Sequence, residues 1–365
     1  MKSKHLKICF LIPSVASGGI EMYLLRYLNF IEDTKDITVL VRSNQKGELH
    51  EEYKATGVEL KFLPLGYLSL SKIRQHYKYY KKQKFDVICD FNANFAGIPL
   101  LLAKRLNVTK RIAFYRQGSD HFKSGFIKNR VNKYMNRLVF KNATHILSNS
   151  HAALEFFFPE RSSADMCFKV IYNGVNIAEY NIKESKASIR AELGIPKNAF
   201  VIGHAGRLDK AKNHETILKV FQHLQQEDFN SFLVLCGRDT EKLVSQLETL
   251  GIKEKTLLLG YRKDVPRVLK SLDCFLFPSI TEGQPNALME AMVSAIPIVA
   301  SNIPSIRECV PSKFVDALKN PSDIEGLKNA VINVCQEAPN DALAEIKNKF
   351  DDKINFEIFK TILND

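Results

Sequence analysis

Twelve short, almost unbroken apolar runs punctuate this 365-residue chain, and between them apolar residues recur at helical spacing, as in Ile217-Val220-Phe221-Leu224. In the first half the runs are "KICFLIP", "ITVLV", "ELKFLPL", "DVICDF", "RIAFY" and "THILSNS". In the second they are "KVIYN", "FVIGHAG", "SFLVLCG", "TLLLGY", "CFLFPS" and "IPIVAS". A strand with one wet face alternates apolar and polar residues, whereas an unbroken run must be covered on both faces. Such strands alternating with helices predict α/β architecture: doubly wound parallel sheets with a helical layer on each side. Two series, separated by the polar stretch "NIAEYNIKESKASIRAELGIPKNA", predict two Rossmann-like domains. The expected boundaries are 1–178 and 179–345, with 346–365 forming one amphipathic helix that packs back on the first domain.

Charge is divided unevenly between the halves. The net charge is +12; residues 1–180 hold 28 Lys+Arg against 15 Asp+Glu, and residues 181–365 hold 24 against 25. A one-sided basic domain points to an anionic partner: a membrane surface, a nucleic acid or a phosphorylated substrate. The seven cysteines (Cys9, Cys89, Cys167, Cys236, Cys274, Cys309 and Cys335) are scattered without a CxxC pair. They read as buried, reduced thiols of a cytosolic protein, with neither a zinc site nor a disulfide frame. No run of 18 apolar residues occurs, so no membrane-spanning helix is expected. The N-terminal "ICFLIP" is too short for a signal-peptide core and reads as the first strand.

Open α/β sheets bind ligands beyond the carboxyl ends of their strands. After the first strand, Gly18-Gly19 in "SVASGGIEMYLLRYL" lets backbone approach a ligand, with the amides of the next helix aimed at it. Neither GxGxxG nor GxxxxGK[ST] is present. After "FVIGHAG", Gly206 permits a turn, and Arg207 and Lys212 precede a helix that starts near Asn213, a candidate N-cap. Two cations at a helix N-terminus make a receptor for a diphosphate. His204 and His214 are given no role. After "CFLFPS" comes "ITEGQPNALMEAM". Pro285 suits a first helical turn, which leaves Glu282 in the loop and Glu290 about one and a half turns along. Amides around Gly283, Gln284 and Asn286 would then face an anion. The two carboxylates are good acceptors for sugar and ribose hydroxyls, and their separation suits a nucleotide-sugar.

The segments "GRLDKAKN", "GYRKDVPRVLKSLDCFLFPSITEGQPNALMEAM" and "IPIVASNIPSIRE", with support from "SVASGGIEMYLLRYL" and "KVIYNGVN", resemble glycosyltransferase family 4. These are retaining enzymes of the GT-B fold, in which two Rossmann-like domains face each other across a cleft. The resemblance implies a metal-independent hexosyltransferase in which Arg207 and Lys212, beyond the Gly206 turn, hold the donor diphosphate. It implies that Glu290 binds the donor ribose, that Glu282 faces the transferred sugar, and that the backbone of Gly283, Gln284, Pro285 and Asn286 holds sugar and phosphate. Arg262 would lie near the base, and the Gly18-Gly19 loop would close on the donor and border the acceptor. Many relatives carry a histidine where this chain has Arg116-Gln117, so Arg116 is a candidate phosphate or acceptor ligand. Ala295 stands where the family often has glycine. No DxD sequence occurs, so no metal and no cofactor is expected beyond the nucleotide-sugar itself, a UDP-sugar first. The departing phosphate would take the acceptor proton, leaving no need for a dedicated base.

The expected acceptor is a saccharide, lipid-linked, in cell-surface polysaccharide synthesis. Two basic segments, "SKIRQHYKYYKKQK" (71–84) and "IKNRVNKYMNRLVFK" (127–141), suggest an anionic membrane surface as partner, hence a cytoplasmic protein peripheral to the inner face of the plasma membrane. In the second, Ile127, Val131, Tyr134 and Leu138 share one helical face, away from Lys128, Arg130, Lys133 and Arg137. No nucleic-acid recognition motif is found. The alternatives are a GT-B-like sugar-nucleotide epimerase, a basic nucleic-acid- or membrane-binding protein without catalysis, and an inert sugar-nucleotide-binding scaffold.

Overall fold

A computed structural model describes residues 6–65, 69–116, 126–162, 167–336 and 343–364. The chain forms two compact units, Met1–Asn173 with Asn355–Asp365, and Gly174–Ile354.

In the first unit, strands and helices alternate: β1 (Ile8–Ile12), α1 (Gly19–Phe30), β2 (Ile37–Val41), α2 (His50–Ala55), β3 (Glu59–Phe62), α3 (Leu70–Gln83), β4 (Val87–Asp90), α4 (Gly97–Arg105), β5 (Lys110–Tyr115), α5 (Phe126–Asn142), β6 (His145–Ser148), α6 (His151–Phe157) and β7 (Phe168–Val170). The strands form one parallel sheet in the order β3-β2-β1-β4-β5-β6-β7. Every residue of β1 is buried because its two faces meet different layers. Phe10 and Ile12 pack towards α1, α2 and the C-terminal helix, while Cys9 and Leu11 pack towards α3, α4, α5 and α6. "KVIYN", counted with the second series of runs, supplies β7 and pairs with β6 in this first sheet.

The second unit continues with α7 (Lys186–Glu192), β8 (Phe200–Ala205), α8 (His214–Gln226), β9 (Ser231–Cys236), α9 (Val244–Thr249), β10 (Thr256–Gly260), α10 (Val265–Lys270), β11 (Cys274–Phe277), α11 (Asn286–Val293), β12 (Ile298–Ala300), α12 (Pro304–Cys309), α13 (Ile324–Gln336) and α14 (Leu343–Phe350). Its sheet is parallel, in the order β10-β9-β8-β11-β12. One face packs on α8, α9 and α13 through Ile217, Phe221, Leu247 and Leu327.

The C-terminal segment is not one helix. It breaks at Asp351 into α14 and α15 (Asp352–Asn364). Val175 takes the place of a helical partner there: its amide donates to the Phe350 carbonyl at 2.7 Å and its carbonyl accepts from Asp352 at 3.2 Å. Gly174 permits this approach, since a Cβ there would stand 2.1 Å from the Asp352 Cα. Beyond the break, Phe356 and Phe359 are buried among Phe10, Tyr23, Tyr27 and Phe114 of the first unit.

On α5, Val131 and Tyr134 of the apolar stripe are 52% and 62% exposed, whereas Asn132, Met135, Val139 and Asn142 are buried. The buried polar groups are satisfied: Asn94 donates to Asn132 at 3.0 Å, and Asn142 donates to the Leu138 carbonyl at 2.7 Å. The side chains of Ile127 and Lys128, and all of Gln117, lie outside the described residues. Of the cysteines, Cys9, Cys89, Cys236, Cys274 and Cys309 are buried, Cys167 is half-buried and Cys335 is exposed, and none is joined in a disulfide. Among the described residues no helix is long and apolar enough to cross a membrane.

Candidate functional site

The strand order of the second unit reverses between β8 and β11, the kind of switch point beyond whose strand ends open α/β sheets bind ligands. The loop after β8 carries Arg207 and Lys212; the loop after β11 carries Glu282. Two hydrogen bonds hold the loops together: Ile280 N–H to the Ala211 carbonyl at 2.8 Å, and Asn213 Nδ2 to the Pro278 carbonyl at 3.0 Å. The result is an ion pair between residues 70 positions apart, Lys212 Nζ to Glu282 Oε1 at 2.6 Å, with side chains 21% and 10% exposed. Arg207 projects outward, 72% exposed, with Asp209 3.3 Å away.

Asn213 occupies the N-cap position of α8 but does not cap it. Its backbone is left-handed, φ 57°, and its side chain spans to the Pro278 and Pro321 carbonyls instead. That spends the asparagine on joining loops and leaves the α8 amides uncapped by it. Pro285 is likewise one position earlier than expected, before the first residue of α11. The Asn286 amide is not free, because it donates to the Gln284 carbonyl at 3.0 Å. The Gln284 side chain is buried and turned towards Met289 Sδ at 3.2 Å. Glu290 is half-buried on α11. Its charge and those of Arg262 and Asp264 all reach the Cys236 thiol, which burial pushes up to about 11 against the pull of Arg262, with Asp264 and Glu290 adding to the rise.

Three adjacent strand ends are joined by glycines. Gly206 N–H donates to the Cys236 carbonyl at 2.8 Å and Gly237 N–H to the Gly260 carbonyl at 2.7 Å. A Cβ on Gly237, whose φ is 151°, would stand 2.0 Å from the Gly206 oxygen. One on Gly206 would stand 2.8 Å from His204 Nε2. An arginine follows each of these glycines closely: Arg207, Arg238 and Arg262. Arg262 is gripped by both oxygens of Asp264, at 2.7 and 2.6 Å, which strengthens its hold on its proton. Arg238 lies over the exposed Tyr261 ring at 5.2 Å. The sequence reading passed over Gly237-Arg238, although "LCGRD" repeats the strand-Gly-Arg pattern of "HAGRLD". His204 and His214 are buried 5.0 Å apart as a neutral pair; burial, then the charge of Lys212, holds His214 down to about 4.

In the first unit, Gly18 is the N-cap position of α1, and a Cβ there would stand 2.5 Å from Glu21 Oε2, so that carboxylate would have to shift. Glu21, which the sequence reading left aside, is buried and accepts from Ser14 Oγ at 2.7 Å. Gly19 has nothing within 4 Å of a would-be Cβ. Arg116 follows β5, packed between aromatic rings at the carboxyl edge of that sheet. Among the described residues no group of three or more His, Cys, Asp or Glu side chains is placed to hold a metal.

Comparison with known proteins covers most of the chain. Residues 185–350 match the family described as glycosyl transferases group 1, and residues 7–150 match glycosyl transferase 4-like. One relative is the UDP-Gal:alpha-D-GlcNAc-diphosphoundecaprenol alpha-1,3-galactosyltransferase of Escherichia coli, 27% identical over 92% of this chain and 90% of that enzyme. Another, from Campylobacter jejuni, is the N-acetylgalactosamine-N,N'-diacetylbacillosaminyl-diphospho-undecaprenol 4-alpha-N-acetylgalactosaminyltransferase, 24% identical over 81% of this chain and 80% of that one. Among solved structures, Anabaena HepE in complex with UDP superposes with a TM-score of 0.83 over 98% of this chain and 99% of that one, at 20% identity.

Proposed function

The chain belongs to the group 1 glycosyltransferases of family 4, and we propose that it moves a hexosyl unit from a UDP-sugar to a lipid-linked saccharide with retention of anomeric configuration. The observation that carries this reading is the Lys212–Glu282 pair at the switch point of the second sheet, beside the start of α8. Breaking the anomeric bond leaves negative charge on the diphosphate and positive charge on the sugar. A cation and an anion side by side, each next to one fragment, match that separation; losing one such contact costs ~3–4 kcal/mol in the transition state. Arg207 and the α8 amides would add to the diphosphate side, and Glu290 would accept from the ribose hydroxyls. With the cations placed on the leaving group, the departing phosphate can accept the acceptor's proton. The step then needs neither a separate base nor a divalent metal, and activity is expected to survive a chelator.

The acceptor lipid gives the first unit a second task. Helices α3, α4 and α5, which cover one face of its sheet, carry five, two and five Lys or Arg and no Asp or Glu. The exposed Val131 and Tyr134 add apolar surface among Arg130, Lys133 and Arg137. We propose that this layer rests on the anionic inner leaflet, each cation contributing about 1 kcal/mol. Co-sedimentation with phosphatidylglycerol vesicles, absent with phosphatidylcholine and reduced in Lys133→Glu/Arg137→Glu, is the expected result; salt-insensitive binding to both would refute it.

The donor is tested by calorimetry with UDP, GDP and ADP against wild type, Arg207→Ala and Glu290→Ala. One nucleotide should bind, and weaken in both variants. Turnover of a UDP-sugar without acceptor, giving an epimer, would favour the epimerase instead.

A further inference from the structure

Two guanidinium groups lie packed at the carboxyl edge of the first sheet, and the protein treats them differently. Arg42, after β2, is buried and paired with Asp90 at 2.6 Å. Arg116, after β5, has no carboxylate paired with it among the described residues. Its guanidinium carbon lies 3.5 Å from the centre of the Tyr23 ring and 5.0 Å from that of Phe114. One nitrogen, Nη2, donates to Asn173 Oδ1, while Nη1 is buried and meets no acceptor. Among its neighbours Tyr23 favours the charged form most, and the next in influence, the cation Arg26, opposes it. Burial pulls the Arg116 pKa down to about 10, so the group stays charged at neutral pH.

The neighbouring strand end supplies a matching feature. β5 and β6 are in register with Tyr115 opposite Ser148, so Arg116 and Asn149 leave adjacent strands together. The Asn149 amide donates to the Tyr115 carbonyl at 3.2 Å, and its side chain is 1% exposed with Oδ1 lacking a donor. A partly buried cation with no carboxylate paired to it among the described residues, on the strand next to a buried acceptor without a donor, is costly in the free protein and complementary to a ligand that brings both. Aromatic packing and Asn173 hold the fork in one orientation, as recognition of a planar carboxylate or a phosphate requires.

We infer that Arg116 and Asn149 form a subsite in the first unit for an anionic oxygen, carboxylate or phosphate, next to a hydroxyl of the saccharide substrate. The inference rests on the glycosyltransferase reading for the word substrate, and on the first unit alone for the anion. The two sources are a sugar acid and a sugar linked through phosphate.

Calorimetry on the full chain separates these possibilities. UDP is first added to saturation, so that Arg207 and Lys212 are occupied, and either pyrophosphate or glucuronate is then titrated. Wild type should bind at least one probe, identifying the source, and Arg116→Gln should weaken it tenfold or more with UDP affinity unchanged. Asn149→Ala should weaken glucuronate, which carries hydroxyls, and leave pyrophosphate alone. Arg116→Lys keeps the charge without the fork and should fall between wild type and Arg116→Gln, which preserves the test if Arg116→Gln does not fold. No binding of either probe to wild type, or equal binding by wild type and Arg116→Gln, overturns the inference. If UDP itself fails to bind while probe binding depends on Arg116, the subsite stands and the donor assignment falls.

Discussion

Replacing Glu282 with glutamine should move donor binding and sugar transfer in opposite directions. Glutamine keeps the shape and one acceptor oxygen but removes the negative charge 2.6 Å from Lys212. In the free protein that charge neutralises the cation the diphosphate needs. A carboxylate ~5 Å from a phosphate repels it by ~0.8 kcal/mol in water and by ~3 kcal/mol at an effective dielectric constant of ~20. Side-chain exposures of 10% for Glu282 and 21% for Lys212 place the pair between those limits. Taking ~1.4 kcal/mol, UDP should bind Glu282→Gln about tenfold more tightly than wild type. Transfer should slow, because the sugar loses the anion beside its developing positive charge; ~3–4 kcal/mol corresponds to a fall of ~10²–10³ in kcat. Calorimetry with UDP gives the first quantity, and steady-state transfer to a lipid-linked saccharide gives the second. Lys212→Gln is the control and should weaken both together. Weaker UDP binding in Glu282→Gln, or an unchanged kcat, would show that the pair is an architectural strut and that the charge argument is wrong.

Three further outcomes concern stability. Ala295 sits at φ 58°, where an alanine is strained. Ala295→Gly should therefore stabilise the second unit by about 1 kcal/mol, seen as a rise in Tm of roughly 2–4 °C. Asp273 is pulled up by burial but more strongly held down by the Val201 amide, Lys186 and Arg190, so its folded pKa lies below its unfolded one. Its contribution is complete above the unfolded value of about 4 and is lost as pH falls through the folded value; Asp273→Asn should flatten the acid limb of the Tm–pH curve. Phe359 is fully buried against five aromatic rings of the first unit, and Phe359→Ala should cost ~3–5 kcal/mol, lowering Tm and exposing the chain beyond Asn355 to protease.

The strands were legible because burial on both faces leaves a local trace. Each of the twelve apolar runs overlaps a strand, and the left-handed Ala295 stands where the family resemblance implied a glycine. The loops holding Arg207, Lys212 and Glu282 could be named for the same reason: they follow strands, and strand ends are where open α/β sheets bind. Which faces meet was not legible. Both sides of α5 carry apolar residues, and the choice fell on the side where Asn132 could find Asn94 and where Gly97 lets α4 approach the backbone of Met135 and Val139. The break at Asp351 depends on Val175, distant in sequence, offering its amide and carbonyl to one turn of helix. Lys212 meets Glu282 only because β11 lies next to β8, and Arg42 reaches Asp90 only because β2 and β4 flank β1. Local periodicity comes from each residue's own burial, so one chain segment carries it. Pairing and isolation of charges depend on segments far apart in sequence, and only the folded sheet brings them within a few ångströms.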